Sequence, residues 1–303
     1  MPVPKVNNEM KKLIIATGLL LGGFFAQAQV KGVKHVILIG MDGFGAYCFP
    51  KVDNPNMKQM MQDGAWTLQA RSVLPSSSAV NWASMVMGAG PEVHGYTEWD
   101  SRKPELPSRE LDQYGMFPSI YTLLRGQQPK AEIGVIYSWD GIGYLFPKAA
   151  VNKDLGTHDN DSLATAASVA YIKEKKPDFL FIHFDEPDGT GHNIGHNIQP
   201  YFDQVAKNDV LLGKILQAVK DAGMWDNTII LLTADHGGIR KGHGGKTMEE
   251  MQIPWIIRGP GVAKNKEIKS SVVTYDTAAT LAWIFGLKTP QVWTGRPVTE
   301  AFK

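Results

Sequence analysis

Apolar and polar residues fall in blocks along this chain. Short, nearly continuous apolar runs recur at Val33 to Ile39, Ala131 to Ser138, Phe179 to Phe184, Thr228 to Leu232 and Pro254 to Ile257. Runs of this kind predict strands buried on both faces of a sheet. Trp66 to Leu74 alternates well enough to predict one more strand. Between the runs lie stretches with helical spacing: Asn56 to Asp63, the apolar stretch from Ala79 to Met87, Pro118 to Arg125, Asp159 to Lys175, Tyr201 to Ala222 and Tyr275 to Phe285. Strand and helix alternate, and no repeat or linker divides them. The pattern predicts an α/β fold with a central, mostly parallel sheet, as a single domain over 29–303.

Composition narrows the partners. The 303 residues are 43% apolar and carry a formal net charge of +1. That balance gives no electrostatic case for nucleic acid or an anionic membrane as partner. A single cysteine, Cys48, excludes an intramolecular disulfide framework. At the N-terminus, Lys11 and Lys12 precede an apolar run, Leu13 to Phe25, and then Ala26-Gln27-Ala28. This order predicts an export signal over 1–28, cleaved after Ala28, with Met10 a candidate start. The run is short for a bilayer span, and an uncleaved anchor is the alternative. Export is therefore expected, to the periplasm of a Gram-negative source or otherwise to the outside.

Candidate chemistry gathers just past the apolar runs, where open α/β sheets place their ligands. Asp42 follows the first run within Gly40-Met41-Asp42-Gly43. The run Phe179 to Phe184 leads into Asp185-Glu186-Pro187-Asp188-Gly189-Thr190-Gly191-His192, with His196 beyond. The glycines predict a loop here, not a helix face. Thr228 to Leu232 leads into Asp235-His236, and His243 follows in a glycine-rich loop. A buried strand ending in Asp-His offers two metal ligands from one rigid anchor. Ser76, Ser77 and Ser78 precede a helical stretch, where serines serve as N-caps. One could instead be a nucleophile. A helix N-terminus favours an anionic phosphoryl group, and a hydroxyl beside a divalent cation gives up its proton at accessible pH. Residues 91–130, with His94, Tyr96, Trp99 and Tyr114 among polar turns, predict an excursion over the active face.

Together these motifs resemble the alkaline phosphatase superfamily, most of all its type I phosphodiesterase and nucleotide pyrophosphatase branch. Gly40-Met41-Asp42-Gly43 resembles the first metal aspartate. Pro75-Ser76-Ser77-Ser78-Ala79-Val80-Asn81 resembles the nucleophile loop, with Ser78 in the place of the branch's threonine. Glu92-Val93-His94-Gly95, Glu186-Pro187-Asp188-Gly189-Thr190-Gly191-His192 and Asp235-His236-Gly237 match later motifs in the family order. The resemblance implies a three-layer sandwich with little or no cap insertion. It implies two divalent cations, zinc by donor type, one on Asp188, His192 and His243. The other would sit on Asp42, Asp235 and His236, with Ser78 between. It implies a hydrolase that forms a phospho-Ser78 intermediate on a small phosphate ester, with the Ala79 N–H binding a phosphoryl oxygen.

Three departures bear on the substrate. Ala79 stands where the branch has Phe, His183 where it commonly has Tyr, and no asparagine follows Gly95 closely. Asn81 is a candidate substitute for that asparagine, with a structural role in its own loop the favoured reading, and His183 and His196 remain candidate substrate contacts. A phosphomonoesterase is the alternative, needing extra cations such as Arg102, Lys103, Arg240, Lys241 or Lys246. A sulfatase would need Cys-x-Pro-x-Arg, and Cys48-Phe49-Pro50-Lys51 is misplaced and lacks the arginine. A catalytically silent binding protein on the same scaffold is the reading from another class. Oligomeric state is not encoded in these patterns.

Overall fold

A computed structural model describes residues 30–303, so the expected export signal lies outside the described residues. Eight strands form one sheet: β1 (His35–Met41), β2 (Gly64–Arg71), β3 (Ile133–Tyr137), β4 (Lys153–Gly156), β5 (Phe179–Phe184), β6 (Thr228–Ala234), β7 (Gln252–Arg258) and β8 (Lys266–Glu267). Their order across the sheet is β4-β3-β5-β1-β6-β7-β2-β8. Among these strands only β7 runs against its neighbours. The fold is the expected three-layer α/β sandwich around a mostly parallel sheet.

The central strands β1, β5 and β6 are buried nearly end to end, so their apolar runs are read on both faces. The principal helices are α1 (Pro55–Asp63), α2 (Ser78–Met87), α3 (Ile120–Gln127), α4 (Asp161–Lys175), α5 (Asp188–Asn193), α6 (Gln199–Asp221) and α7 (Asp276–Phe285). Helices α1, α4 and α6 pack together on one side, and α2, α3 and α7 on the other.

Three local expectations change. The strand expected over Trp66 to Leu74 begins earlier, at Gly64, and stops at Arg71. Gly64 can start it because its Cα passes against the Ile257 carbonyl, where a Cβ would collide. A short edge strand, β4, has little apolar signal and was not foreseen. The third change is that Asp188–Asn193 is helical and not a loop. One of its glycines serves close packing: a Cβ on Gly191 would strike the His196 ring. The Glu186 carboxylate accepts the Thr190 N–H at 2.9 Å, closing this helical turn.

Strand pairing brings distant residues side by side. β1 lies between β5 and β6, with Met41 opposite Phe184 on one side and Ala234 on the other. Asp42, Asp185 and Asp235 thus leave the same edge of the sheet from adjacent strands.

Candidate active site

The serine loop is held from inside. Asn81, fully buried, donates through Nδ2 to the carbonyls of Val73, Pro75 and Ser77 at 3.3, 3.1 and 3.1 Å. Its Oδ1 accepts the Val73 N–H at 2.7 Å. All its polar capacity is used in shaping the turn before α2. Of the two readings of Asn81, its hydrogen bonds are those of a brace within the loop and not of a substrate contact. Asn81→Ala leaves those groups unpaired, and the expected result is a loss of about 2–4 kcal/mol of stability in denaturant titration. A change in KM without a stability loss would contradict this role.

Ser78 opens α2, with its hydroxyl 3.4 Å from Asp42 Oδ1 and 3.2 Å from His236 Nε2. Ser76 instead points toward the loop carrying His243. Its hydroxyl donates to the Gly245 carbonyl at 2.7 Å, and its own carbonyl accepts from His243 Nδ1 at 3.0 Å. The Ala79 N–H donates to the Trp99 carbonyl at 3.0 Å. It is already engaged, which corrects its expected role as a phosphoryl donor.

Three imidazoles converge in one manner. Each uses Nδ1 on a backbone carbonyl: His192 on Lys241 (3.2 Å), His236 on Gly237 (2.8 Å) and His243 on Ser76 (3.0 Å). A carbonyl only accepts, so each Nδ1 carries the hydrogen and each neutral ring turns a bare Nε2 inward. Nε2 of His192 and His243 then face each other at 3.0 Å, with Asp188 Oδ2 3.1 Å from the first and 3.7 Å from the second. Two lone pairs this close repel unless a cation or proton lies among them. Asp188, His192 and His243 form one group that could hold a metal, and Asp42, Asp188 and His236 form a second.

Asp188 thus joins both groups, whereas sequence alone assigned it to one. Asp235 sits beside the second group. Its Oδ2 is 3.0 Å from His236 Nε2 and Oδ1 accepts the Gly43 N–H at 3.1 Å. Oδ2 is buried and has no hydrogen-bond partner among the described residues. An orphaned carboxylate oxygen next to converging imidazoles fits a divalent cation, and the carboxylate-imidazole donor set suits zinc.

Charge crowding marks the same place. Burial, then the Asp42 charge, pushes Asp235 up to about 8. Burial alone would depress His236, but the Asp235 carboxylate 3.0 Å from its Nε2 pushes it up to about 10. Burial and the His236 charge hold His243 down at about 4. Burial would also raise Asp42 and Asp188, yet the His183 hydrogen bond to the first and the His192 and His196 imidazoles beside the second hold both carboxyls below their usual range.

The two remaining expected substrate contacts lie behind the ligands. His183, fully buried, places Nε2 3.2 Å from Asp42 Oδ2. His196, 3% exposed, places Nε2 3.4 Å from Asp188 Oδ1. Both orient carboxylates and neither faces substrate, which corrects that expectation. Two contributors went unread in the sequence. Trp82 Nε1 donates to Asp42 Oδ2 at 2.9 Å, leaving Oδ1 toward Ser78. Glu250 accepts the Gly245 N–H at 2.8 Å, while its carbonyl accepts the Gly237 N–H at 2.8 Å. It ties the His236 and His243 loops together. The capping box from Thr247 to Glu250 was a readable signal for that turn. Nothing in the sequence marks Trp82 apart from an ordinary core tryptophan.

Known proteins resemble this chain in sequence and in fold. The type I phosphodiesterase / nucleotide pyrophosphatase family profile matches residues 36–241. The chain is 22% identical over 240 residues to bis(5'-adenosyl)-triphosphatase ENPP4 of Homo sapiens, covering 75% of this chain and 53% of that protein. It is 27% identical over 224 residues to venom phosphodiesterase 2 of Crotalus adamanteus, covering 67% of this chain and 26% of the venom enzyme. The chain therefore spans about half the human relative and about a quarter of the snake one. In fold it is similar to murine ectonucleotide pyrophosphatase / phosphodiesterase 5 in complex with AMP, with a TM-score of 0.71 at 17% identity over 89% of this chain and 100% of that one. A 2-O GAG sulfatase shares the fold at a TM-score of 0.72 and 14% identity, over 89% of this chain and 74% of the sulfatase chain. From the profile match over residues 36–241, more than half of the chain, the chain belongs to the type I phosphodiesterase / nucleotide pyrophosphatase family.

Proposed function

We propose that this protein is an exported phosphoric ester hydrolase that cleaves phosphodiesters or pyrophosphates of small molecules through a phospho-Ser78 intermediate. The observation that carries the reading is the placement of the Ser78 hydroxyl, 3.2 Å from His236 Nε2 and 3.4 Å from Asp42 Oδ1, at the start of a helix. Asp188, His192 and His243 would hold one divalent cation, and Asp42, Asp235 and His236 another, with Asp188 between them. Zinc is the best match for these donors. When bound, the cations supply positive charge that lowers the proton affinity of Ser78 and offsets the phosphoryl charge.

The Ser78 hydroxyl gives up its proton to solvent water, and Oγ forms the new bond to phosphorus as the bond to the leaving oxygen breaks. The leaving oxygen departs with the electron pair and takes a proton from water. A second water then breaks the Oγ–P bond, returns the proton to Ser78 and releases the phosphoryl product. Asp42 and His236 fix the hydroxyl for in-line attack, and the positive end of α2 faces the phosphoryl group. The N-terminal Lys11 to Ala28 segment supports export, to the periplasm or outside the cell. No helix among the described residues is long and apolar enough to cross a membrane.

Diester cleavage is favoured over monoester cleavage because two of the five candidate extra cations, Lys241 and Arg102, are engaged elsewhere. Lys241 Nζ donates to the Asn193 carbonyl at 2.8 Å, and Arg102 lies over the Tyr144 ring at 5.2 Å. The test is the zinc-loaded protein assayed on bis-p-nitrophenyl phosphate and p-nitrophenyl phosphate. The expected outcome is a higher kcat/KM on the diester. A monoester preference above about tenfold would overturn it.

A further inference from the structure

Gly43 meets each of the three carboxylates gathered at the candidate metal centre. It follows Asp42 directly in the chain. Its N–H donates to Asp235 Oδ1 at 3.1 Å. Its Cα lies against Asp188, where a Cβ would run into the carboxylate and the backbone. Its φ of +63° is left-handed, so glycine suits this crossing on both counts. Asp42, Asp188 and Asp235 follow three different strands, and the seat of this one residue sets how far apart their oxygens lie.

One side chain fixes that seat. Tyr201 stands in the first turn of α6 and is fully buried. Its hydroxyl donates to the Gly43 carbonyl and accepts the Gly45 N–H at 3.3 Å. Gly45 in turn lies against Gly237, the residue after His236, where a Cβ on Gly237 would meet the Gly45 Cα. The Tyr201 ring is 5.2 Å from the His196 ring, and His196 Nε2 is 3.4 Å from Asp188 Oδ1. Tyr201 thus grips the turn after Asp42 directly and reaches Asp188 through one imidazole. A phenylalanine would fill the same space in the core. What the hydroxyl adds is a fixed place for two buried peptide groups, which would otherwise lose a partner.

We propose that Tyr201 is a positioning residue. Its hydroxyl fixes the Gly43–Gly45 turn, and through that turn the spacing of Asp42, Asp188 and Asp235 around two divalent cations. Groups that hold ligands in place carry about 10- to 100-fold of metal affinity or activity. The inference rests on the two-cation hydrolase reading.

The test compares Tyr201→Phe with Tyr171→Phe in the full chain. The Tyr171 hydroxyl donates to Glu132 Oε1 at 2.7 Å, just before β3 and so at the opposite edge of the sheet from the carboxylates. It gauges the general cost of losing a tyrosine hydroxyl. In titration with zinc chloride against a competing chelator, Tyr201→Phe is expected to bind zinc about tenfold more weakly than the parent, and Tyr171→Phe as the parent does. At saturating zinc, kcat of Tyr201→Phe on bis-p-nitrophenyl phosphate is expected to fall about tenfold with KM within about twofold, because the hydroxyl never meets substrate. Equal zinc affinity in the parent and Tyr201→Phe would overturn the proposal, even if the variant melts lower. So would a Tyr201→Phe chain that does not fold, since the hydroxyl would then serve the fold as a whole. If the parent binds zinc but does not hydrolyse the ester, the hydrolase reading fails, and the zinc titration still decides the role of Tyr201. A parent that takes up no zinc overturns both.

Discussion

Ser78→Ala is expected to lower kcat on any accepted ester by about 10³-fold or more while leaving bound metal unchanged. The substitution removes the one hydroxyl that faces both Asp42 and His236, at 3.4 and 3.2 Å. It removes no carboxylate or imidazole, so elemental analysis of the purified variant should match the parent. Ser76→Ala provides the contrast. That residue holds the His243 loop through Gly245 and through the His243 ring, so its loss loosens a ligand. Its turnover is expected to fall by roughly tenfold, together with weaker metal retention. If Ser76→Ala silenced the enzyme and Ser78→Ala did not, the nucleophile would be misassigned.

The metal-free protein is expected to lose stability as pH rises, and metal is expected to restore it. Asp235 is pushed up to about 8 by burial and the Asp42 charge, and Asp185 to about 8 by burial and the acids around it. His236 is held up at about 10, against burial, by Asp235. Each binds its proton more tightly folded than unfolded. Its stabilising contribution is whole below the ordinary value and drains away as pH climbs through the folded one. For the two carboxyls that window runs from 3.8 to about 8. Asp42 and Asp188 are depressed and lose their contribution only at acid pH, below this range. Chelator-treated protein should therefore melt about 5–10 °C lower near pH 8.5 than near pH 5.5. With zinc present that drop should shrink, because the cation replaces the lost protons among the same groups. A melting temperature that rises with pH in the chelated protein would contradict the account.

The sheet was legible because β1, β5 and β6 are buried on both faces, and such strands advertise themselves as unbroken apolar runs. The ligand candidates were legible because they follow those runs directly. Roles behind the ligands were not. His183 and His196 are polar residues near motifs, and spacing cannot say whether such a side chain faces the cavity or its wall. The helix at Asp188–Asn193 was hidden by its two glycines, of which Gly191 packs against His196, where their composition suggested a loop. Trp82 was hidden more completely, since its hydrogen bond to Asp42 is a tertiary contact between α2 and β1.

The placement of β1 between β5 and β6 also sets an order of events in folding. The grouped ligands are drawn from Asp42 near the start of the described chain, from Asp188 and His192, and from His236 and His243 near its end. No short peptide of this protein contains a whole set. The loops that must close between them are long, and parallel pairing is slow because each strand waits for a distant partner. The cation-binding geometry therefore comes into being only when the three central strands have met. A cation would act as a late lock on an assembled sheet, slowing its unfolding more than it speeds its formation.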